Sequence, residues 1–238
     1  MEAVVLAGGR GTRLQSIVSD RPKPLAPISG NTTFLNILLD YLIQQEVDHI
    51  IISVGYKKEQ IMSFFGSCYR GVPITYAIEE KPLNTGGAIK NSMKFIKRAD
   101  PFFVLNGDTY CPVNFKYLLK KYKEVKASVL IPVKHMHETS RYGTIEFDRS
   151  GRIYKFIEKK EGSGFINVGC YVLEKTLCSE FLCDSFSFEK DYLEKEYMKK
   201  KFFAVDIEEF FIDIGVPEDY MLACSIFSNY VYKGILQH

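Results

Sequence analysis

Two basic residues, Arg13 and Lys23, stand just behind the run Val4-Val5-Leu6-Ala7-Gly8-Gly9-Arg10-Gly11-Thr12, and the combination suits one kind of ligand. Glycines let a backbone approach a ligand closely and aim successive N–H groups at it, an arrangement matched to phosphate oxygens. Arg13, and Lys23 within Arg21-Pro22-Lys23-Pro24, add positive charge within reach of the same spot. A backbone cradle with two cations calls for a polyphosphate. The spacing excludes two common phosphate loops. No Lys-Ser or Lys-Thr follows Gly11, as a P-loop needs, and Leu14 stands where the dinucleotide fingerprint needs its last glycine.

Two carboxylates complete the chemistry. Asp108, in Leu105-Asn106-Gly107-Asp108-Thr109, follows an apolar run and belongs at the mouth of a strand. A carboxylate there suits Mg²⁺, which takes one or two carboxylates plus substrate phosphate oxygens. Asp213, in Phe211-Ile212-Asp213-Ile214-Gly215, is the natural second; taken alone it reads equally well as a turn or cap residue before Pro217.

The elements that must position these residues alternate along the first half. Ala3–Leu6, His49–Ser53, Ile74–Ile78 and Phe102–Leu105 read as strands, separated by helical patterns over Phe34–Gln45, Glu59–Phe65 and Gly86–Ile96; a further helical pattern follows the glycine loop. Strand–helix alternation predicts an α/β fold with a doubly wound, mostly parallel sheet, whose ligands sit at the carboxyl ends of the strands. The glycine loop, Glu79 and Asn106–Asp108 all fall at such ends. Beyond a helix at Phe115–Tyr122 the pattern changes to strands at Ser128–Val133, Thr144–Phe147, Ile153–Ile157 and Gly169–Leu173. A helix at Lys190–Lys199, a strand at Phe202–Val205 and a helix from Pro217 to Phe227 follow. No linker or repeat divides the 238 residues, so one domain is expected, with residues 1–110 and 111–238 as its two halves.

Composition excludes other classes. A net charge of +2 gives no electrostatic case for nucleic acid, and no apolar run is long enough to span a membrane. Six cysteines without C-x-x-C pairs read as reduced thiols of a cytoplasmic protein. His135 and His137 share one side of a strand, and without further Cys or His nearby they read as a surface pair.

The run L-A-G-G-x-G-T-R-L from Leu6 to Leu14, followed by Pro22-Lys23-Pro24, resembles the signature of the nucleoside-diphosphate-sugar pyrophosphorylases, which are sugar-1-phosphate nucleotidyltransferases. The resemblance continues in four further blocks, over nearly the whole chain. It implies a Rossmann-like mixed sheet, a nucleoside triphosphate and a sugar 1-phosphate as substrates, pyrophosphate as product, and Mg²⁺ held by Asp108 and Asp213. By the same resemblance the nucleotide would meet Leu6, Ala7, Gly8, Gly9, Gly11, Thr12 and Arg13, with Glu79, Pro82, Gly86 and Gly87 around the base. Lys23 would bridge the α-phosphate and the attacking phosphate. Asn106, Tyr142, Gly143, Glu158, Asn167 and Gly169 would surround the sugar, and Lys159 would bind its phosphate.

Glu79 bears on the base. Relatives that use uridine or thymidine triphosphate carry Gln there, whose mixed donor and acceptor suits a pyrimidine. Guanine presents two adjacent donors, which one carboxylate accepts together. Glu79 therefore points to GTP. Many relatives read Pro-Leu-Gly where this chain has Pro82-Leu83-Asn84, and Asn is the side chain most tolerant of a left-handed backbone. The runs Ser19–Pro27, Ser53–Lys57 and Pro82–Ala88 are most similar to the D-glycero-α-D-manno-heptose 1-phosphate guanylyltransferases, which make GDP-heptose for bacterial surface glycans. Mannose-1-phosphate guanylyltransferase, uridylyl- or thymidylyltransferases and a non-catalytic nucleotide-sugar-binding homologue remain alternatives, and a homo-oligomer stays open.

Overall fold

Strand β1 (Glu2–Leu6) is central because its side chains are apolar toward both faces: Ala3 and Val5 enter one core and Val4 the other, all fully buried. Each of the two valines contributes about 1.5–3 kcal/mol on burial. The computed structural model of the chain describes residues 1–14, 16–98, 101–157 and 162–232. With β2 (His49–Val54), β3 (Val72–Ile78) and β4 (Phe102–Asn106), strand β1 forms a parallel array in the spatial order β4-β1-β2-β3. Helix α1 (Phe34–Gln44) packs Leu35, Leu38 and Leu42 on one face, and α3 (Asn84–Ser92) packs Ile89 on the other; α2 (Lys58–Phe65) links β2 to β3. Helix α1 starts at Phe34 because Thr33 and Asn36 cap each other, Asn36 N donating to Thr33 Oγ1 and Thr33 N to Asn36 Oδ1. The chain leaves β1 on one side and returns to its other side at β4, which makes the β1–β4 boundary the switch point of the sheet.

The second half extends the sheet with mixed pairing. Helix α4 (Phe115–Val125) leads to β5 (Val129–Met136), followed by β6 (Thr144–Phe147), β7 (Ile153–Ile157), β8 (Gly164–Asn167), β9 (Cys170–Leu173) and β10 (Phe202–Asp206). Strand β9 is antiparallel to β4, and β8, one bend earlier, pairs with β5 and β6. The bend is at Gly169, with φ +71°, where a Cβ would lie 2.6 Å from the Asn106 side chain. The strand Gly164–Asn167 was absent from the sequence expectation because Phe165 and Ile166 are too short an apolar run to stand out.

A third cluster ties the far end of the chain to the start. Leu14 and Val18 pack with Phe34, Ile212, Ile214 and Tyr220, the last on helix α5 (Pro217–Tyr232). The helix expected after the glycine loop is a single turn, Thr12–Leu14, since burying Leu14 and Val18 needs no more and Pro22 follows. The helix expected at Lys190–Lys199 begins earlier, as a π-type segment Phe188–Leu193 followed by Glu194–Glu196. Its buried residues, Phe188, Tyr192 and Leu193, follow that wider period. All six cysteines are free, and His135 and His137 form an exposed edge-to-face pair, His135 also meeting Phe165. Among the described residues no helix is long and apolar enough to cross a membrane.

Candidate active site

Four parallel strands end along one edge, and the residues just beyond those ends line a cavity of about 600 Å³: Gly8–Gly11 after β1, Gly55 and Tyr56 after β2, Glu79 and Glu80 after β3, and Asp108 after β4. Gly11 takes φ +59°, and a Cβ there would lie 2.7 Å from Lys23 Cβ, so only glycine lets the loop pass over Lys23. At the far wall the Glu79 carboxylate lies against Gly8, where a Cβ would come 2.2 Å from Oε1. Ser53 Oγ donates to Glu79 Oε1 at 2.9 Å and Leu83 N to Oε2 at 3.2 Å. Each oxygen keeps one further lone pair for a ligand. Its neighbour Glu80 is a surface residue paired with Lys58.

The charged centre lies at the switch point. Pro22 and Pro24 fix the backbone around Lys23, and Leu25 anchors that turn in the core. Lys23 is only 8% exposed, its ammonium donating to Asp108 Oδ2 at 2.6 Å and Asp213 Oδ1 at 3.4 Å. The two aspartates meet because Ile212–Asp213 pairs antiparallel with Thr109–Tyr110, and Ile214 N donates to the Asp108 carbonyl. Burial, then the adjacent Asp108 carboxylate, hold Asp213 above the usual carboxylate range, against the pull of Lys23 and Arg141. Arg141 pairs with Asp219 at 2.6 Å, approaches Asp213 at 4.0 Å and lies over the Tyr142 ring. Burial pushes the Tyr142 phenol up to about 12, so it remains a hydrogen-bond donor at neutral pH.

A second cavity of about 400 Å³ opens on the other side of Asn106, which lines both. Arg141, Tyr142, Gly143, Asn167 and Gly169 line it, together with Tyr171, Ser187, Glu189 and Glu194. Asn167 is oriented on both sides, its Nδ2 donating to the Tyr171 hydroxyl at 2.7 Å and its Oδ1 accepting from Gly169 N at 2.9 Å. An elongated anionic ligand in the first cavity and a smaller polar one in the second would meet beside Lys23 and Asp108.

The sequence profile of the family described as Nucleotidyl transferase matches residues 2–227. The chain belongs to the nucleotidyl transferase family. It is 42% identical to the D-glycero-α-D-manno-heptose 1-phosphate guanylyltransferase of Campylobacter jejuni subsp. jejuni serotype O:2, over 92% of this chain and 97% of that one. It is likewise 42% identical to the enzyme of that name from Aneurinibacillus thermoaerophilus, over 97% of this chain and 100% of that one. Among solved structures it is similar to the crystal structure of HddC from Yersinia pseudotuberculosis, with TM-score 0.85 and 39% identity over 95% of this chain and 99% of that chain. HddC has also been solved complexed with GMP-PN.

Nucleotidyl transferases generally work with a divalent metal ion. The donor set fits one. Asp108 and Asp213 both reach a single cationic centre, the Lys23 ammonium, so their oxygens can share a cation; among the described residues no group of three or more acidic, His or Cys side chains forms a fuller metal cage. Two carboxylates of this kind are the hard oxygen donors that a divalent cation takes together with substrate oxygens.

Of the residues singled out in this transferase from sequence, Leu6, Ala7, Gly8, Gly9, Gly11, Lys23, Glu79, Pro82, Asn106 and Asp108 line the first cavity. Tyr142, Gly143, Asn167 and Gly169 line the second, together with Asn106. Four expected nucleotide contacts are placed differently. Arg13 and Thr12 lie exposed on their turn, while Arg10 lines the cavity. Gly86 and Gly87 face another segment of the chain: a Cβ on Gly86 would lie 2.2 Å from the Phe186 ring, and one on Gly87 2.1 Å from the Asp184 carbonyl. Their amides donate to Phe186 O. These two glycines permit packing, and Thr85 and Ala88 face the cavity instead. Asn84 has φ +57°, the left-handed conformation its side chain suggested. Glu158 and Lys159 lie outside the described residues. Sequence reasoning missed Arg141 and Glu189. Arg141 directly precedes the Tyr142-Gly143 pair, and Glu189 stands in a charged run indistinguishable from a solvated helix face.

Proposed function

We propose that this chain transfers GMP from GTP to D-glycero-α-D-manno-heptose 1-phosphate, giving GDP-heptose and pyrophosphate. The observation that carries the reading is the 42% identity, over nearly the whole chain, to two guanylyltransferases of that acceptor. The geometry supports it: two cavities share Asn106, beside Lys23 and Asp108, as a transfer between two bound substrates requires.

GTP would occupy the larger cavity, with its phosphates on the Gly8–Gly11 amides and Arg10, and with Arg13 closing over the outer phosphates. The guanine would lie toward Glu79, whose remaining lone pairs suit its two adjacent N–H donors. The sugar phosphate would occupy the smaller cavity, its hydroxyls against Asn167, Tyr142 and the Gly143 backbone. A phosphate oxygen of the acceptor, already anionic at neutral pH, attacks the α-phosphorus in line as pyrophosphate leaves. No covalent enzyme intermediate and no general base are needed. The work is alignment and neutralisation of crowded negative charge.

Lys23 supplies a buried positive charge where the two phosphates converge, a position whose electrostatic effect is large because little water reaches it. Asp108 and Asp213 would hold Mg²⁺, which neutralises charge on the α-phosphate when bound. Pyrophosphate release from GTP, ATP, CTP, UTP and dTTP, each crossed with manno-heptose, mannose and glucose 1-phosphates, tests the reading. Turnover centred on GTP with the heptose phosphate is expected, lost with EDTA and restored by Mg²⁺. A better mannose phosphate acceptor would change the substrate, preference for UTP or dTTP would overturn the role of Glu79, and no turnover with any pair would leave a binding protein.

A further inference from the structure

The two cavities are joined by a continuous line of hydrogen bonds through a residue that neither substrate role requires. Glu189, on the π-type segment, accepts from the Tyr171 hydroxyl through Oε1 at 2.9 Å. Through Oε2 it accepts from Thr85 Oγ1 at 2.6 Å and Ser187 Oγ at 3.0 Å. Thr85 lines the nucleotide-side cavity and in turn accepts from Phe188 N at 2.9 Å. Tyr171 accepts from Asn167 Nδ2 on the sugar side. Every donor in the line points toward the carboxylate. Burial, then the Glu189 charge, hold the Tyr171 phenol well above its ordinary pKa, so it keeps the proton it donates.

The segment around Glu189 is fastened to the first turn of α3. Phe186 N donates to Leu83 O, Phe186 O accepts from Gly86 N and Gly87 N, and Ser185 Oγ donates to Pro82 O. The absence of side chains on Gly86 and Gly87 makes room for the Phe186 ring and the Asp184 backbone, which brings the two segments together. A ligand that sets the position of Pro82–Thr85 therefore also sets the position of Glu189, and Glu189 orients Tyr171 and the Asn167 amide. Both arms end on this one carboxylate, so a shift of Glu189 imposed from the Thr85 side also displaces the Tyr171–Asn167 side.

We infer that Glu189 is a positioning residue that couples the two substrate sites, so that nucleotide bound at the start of α3 tightens binding of the sugar 1-phosphate at Asn167. The inference rests on the assignment of the two cavities to nucleotide and sugar phosphate. Binding of the sugar 1-phosphate is measured by calorimetry, with and without an α,β-methylene GTP analogue, for the unaltered protein and for Glu189→Gln, Thr85→Val and Tyr171→Phe. The analogue should tighten sugar phosphate binding by about 10-fold or more in the unaltered protein, within the usual span of coupling between sites. In each variant the ratio should fall to below about threefold, and Thr85→Val combined with Glu189→Gln should lower it no further than either alone.

A ratio unchanged in folded variants that merely bind both ligands more weakly overturns the inference, as does a ratio near one in the unaltered protein. Thr85→Val removes one hydroxyl without changing side-chain size, so the measurement stands even where Glu189→Gln folds poorly. If the substrate matrix selects another nucleotide and sugar phosphate, the ratio is read on that pair. An error in the substrates then shows as a change of pair, and an error here as an unchanged ratio.

Discussion

Replacing Glu79 by Gln tests base recognition with almost no change of shape. The existing bonds decide how the amide must sit. Leu83 N can only donate, so the Gln oxygen has to take the Oε2 place, 3.2 Å from it. The amide nitrogen then occupies the Oε1 place against Gly8, where Ser53 Oγ at 2.9 Å can turn and accept from it. The fold therefore loses no partner. Guanine does lose one: of its two adjacent donors, one still meets an oxygen and the other meets an N–H. An unmatched buried donor of this kind costs about 1–3 kcal/mol, or about 5- to 150-fold in kcat/KM for GTP. A pyrimidine, with one N–H between two carbonyls, should gain from the same swap, so the GTP-to-UTP ratio should fall further than GTP use alone. Pyrophosphate release at subsaturating nucleotide, with a melting curve as control, measures both. A variant with unchanged melting temperature and an unchanged GTP-to-UTP ratio would refute the assignment of Glu79 to the base.

Other expectations rest on single contacts. Lys23→Met should lower kcat by about 100- to 1,000-fold, the usual effect of removing one preorganised positive group, while circular dichroism stays native; more than a tenth of normal turnover would take Lys23 out of the chemistry. Gly87→Ala drives a Cβ to 2.1 Å from the Asp184 carbonyl, whereas Gly9 has nothing within 4 Å. Overpacking of about 1–3 kcal/mol should lower the melting temperature of Gly87→Ala by about 2–12 °C and leave Gly9→Ala where it was. Equal melting temperatures for the two variants would contradict the packing role given to Gly87. Buried Glu2 is opposed by its burial, but hydrogen bonds from His49 and from the Arg98 and Lys97 amides outweigh this and hold its carboxyl below the ordinary range. A depressed carboxyl stabilises the fold above its unfolded-state pKa and loses that contribution as pH falls through its lowered value. The melting-temperature gap between the unaltered protein and Glu2→Gln should therefore be constant near neutrality and shrink below about pH 4. A gap that holds down to pH 3 would show that Glu2 acts only by packing.

Much of this molecule was legible residue by residue. Local apolar runs, glycines and prolines determine the parallel strands, the crossover helices and the phosphate-facing loop, because those depend on period and on backbone freedom over a few residues. The family signature from Leu6 to Pro24, with Asp108 and Asp213, determined which chemistry to look for. Tertiary structure decided what lies far apart in the chain. The pairing of Ile212–Asp213 with Thr109–Tyr110 places both aspartates on one lysine, and no local pattern encodes a two-residue ladder. Gly86 and Gly87 read as ligand-facing glycines in sequence, yet their missing side chains admit the Phe186 ring and the Asp184 backbone. Arg141 and Glu189 resemble ordinary surface charges in sequence. They acquire roles only where packing removes water and leaves each with a few fixed partners, because an ion pair or hydrogen bond depends on distance and burial, which the fold as a whole sets.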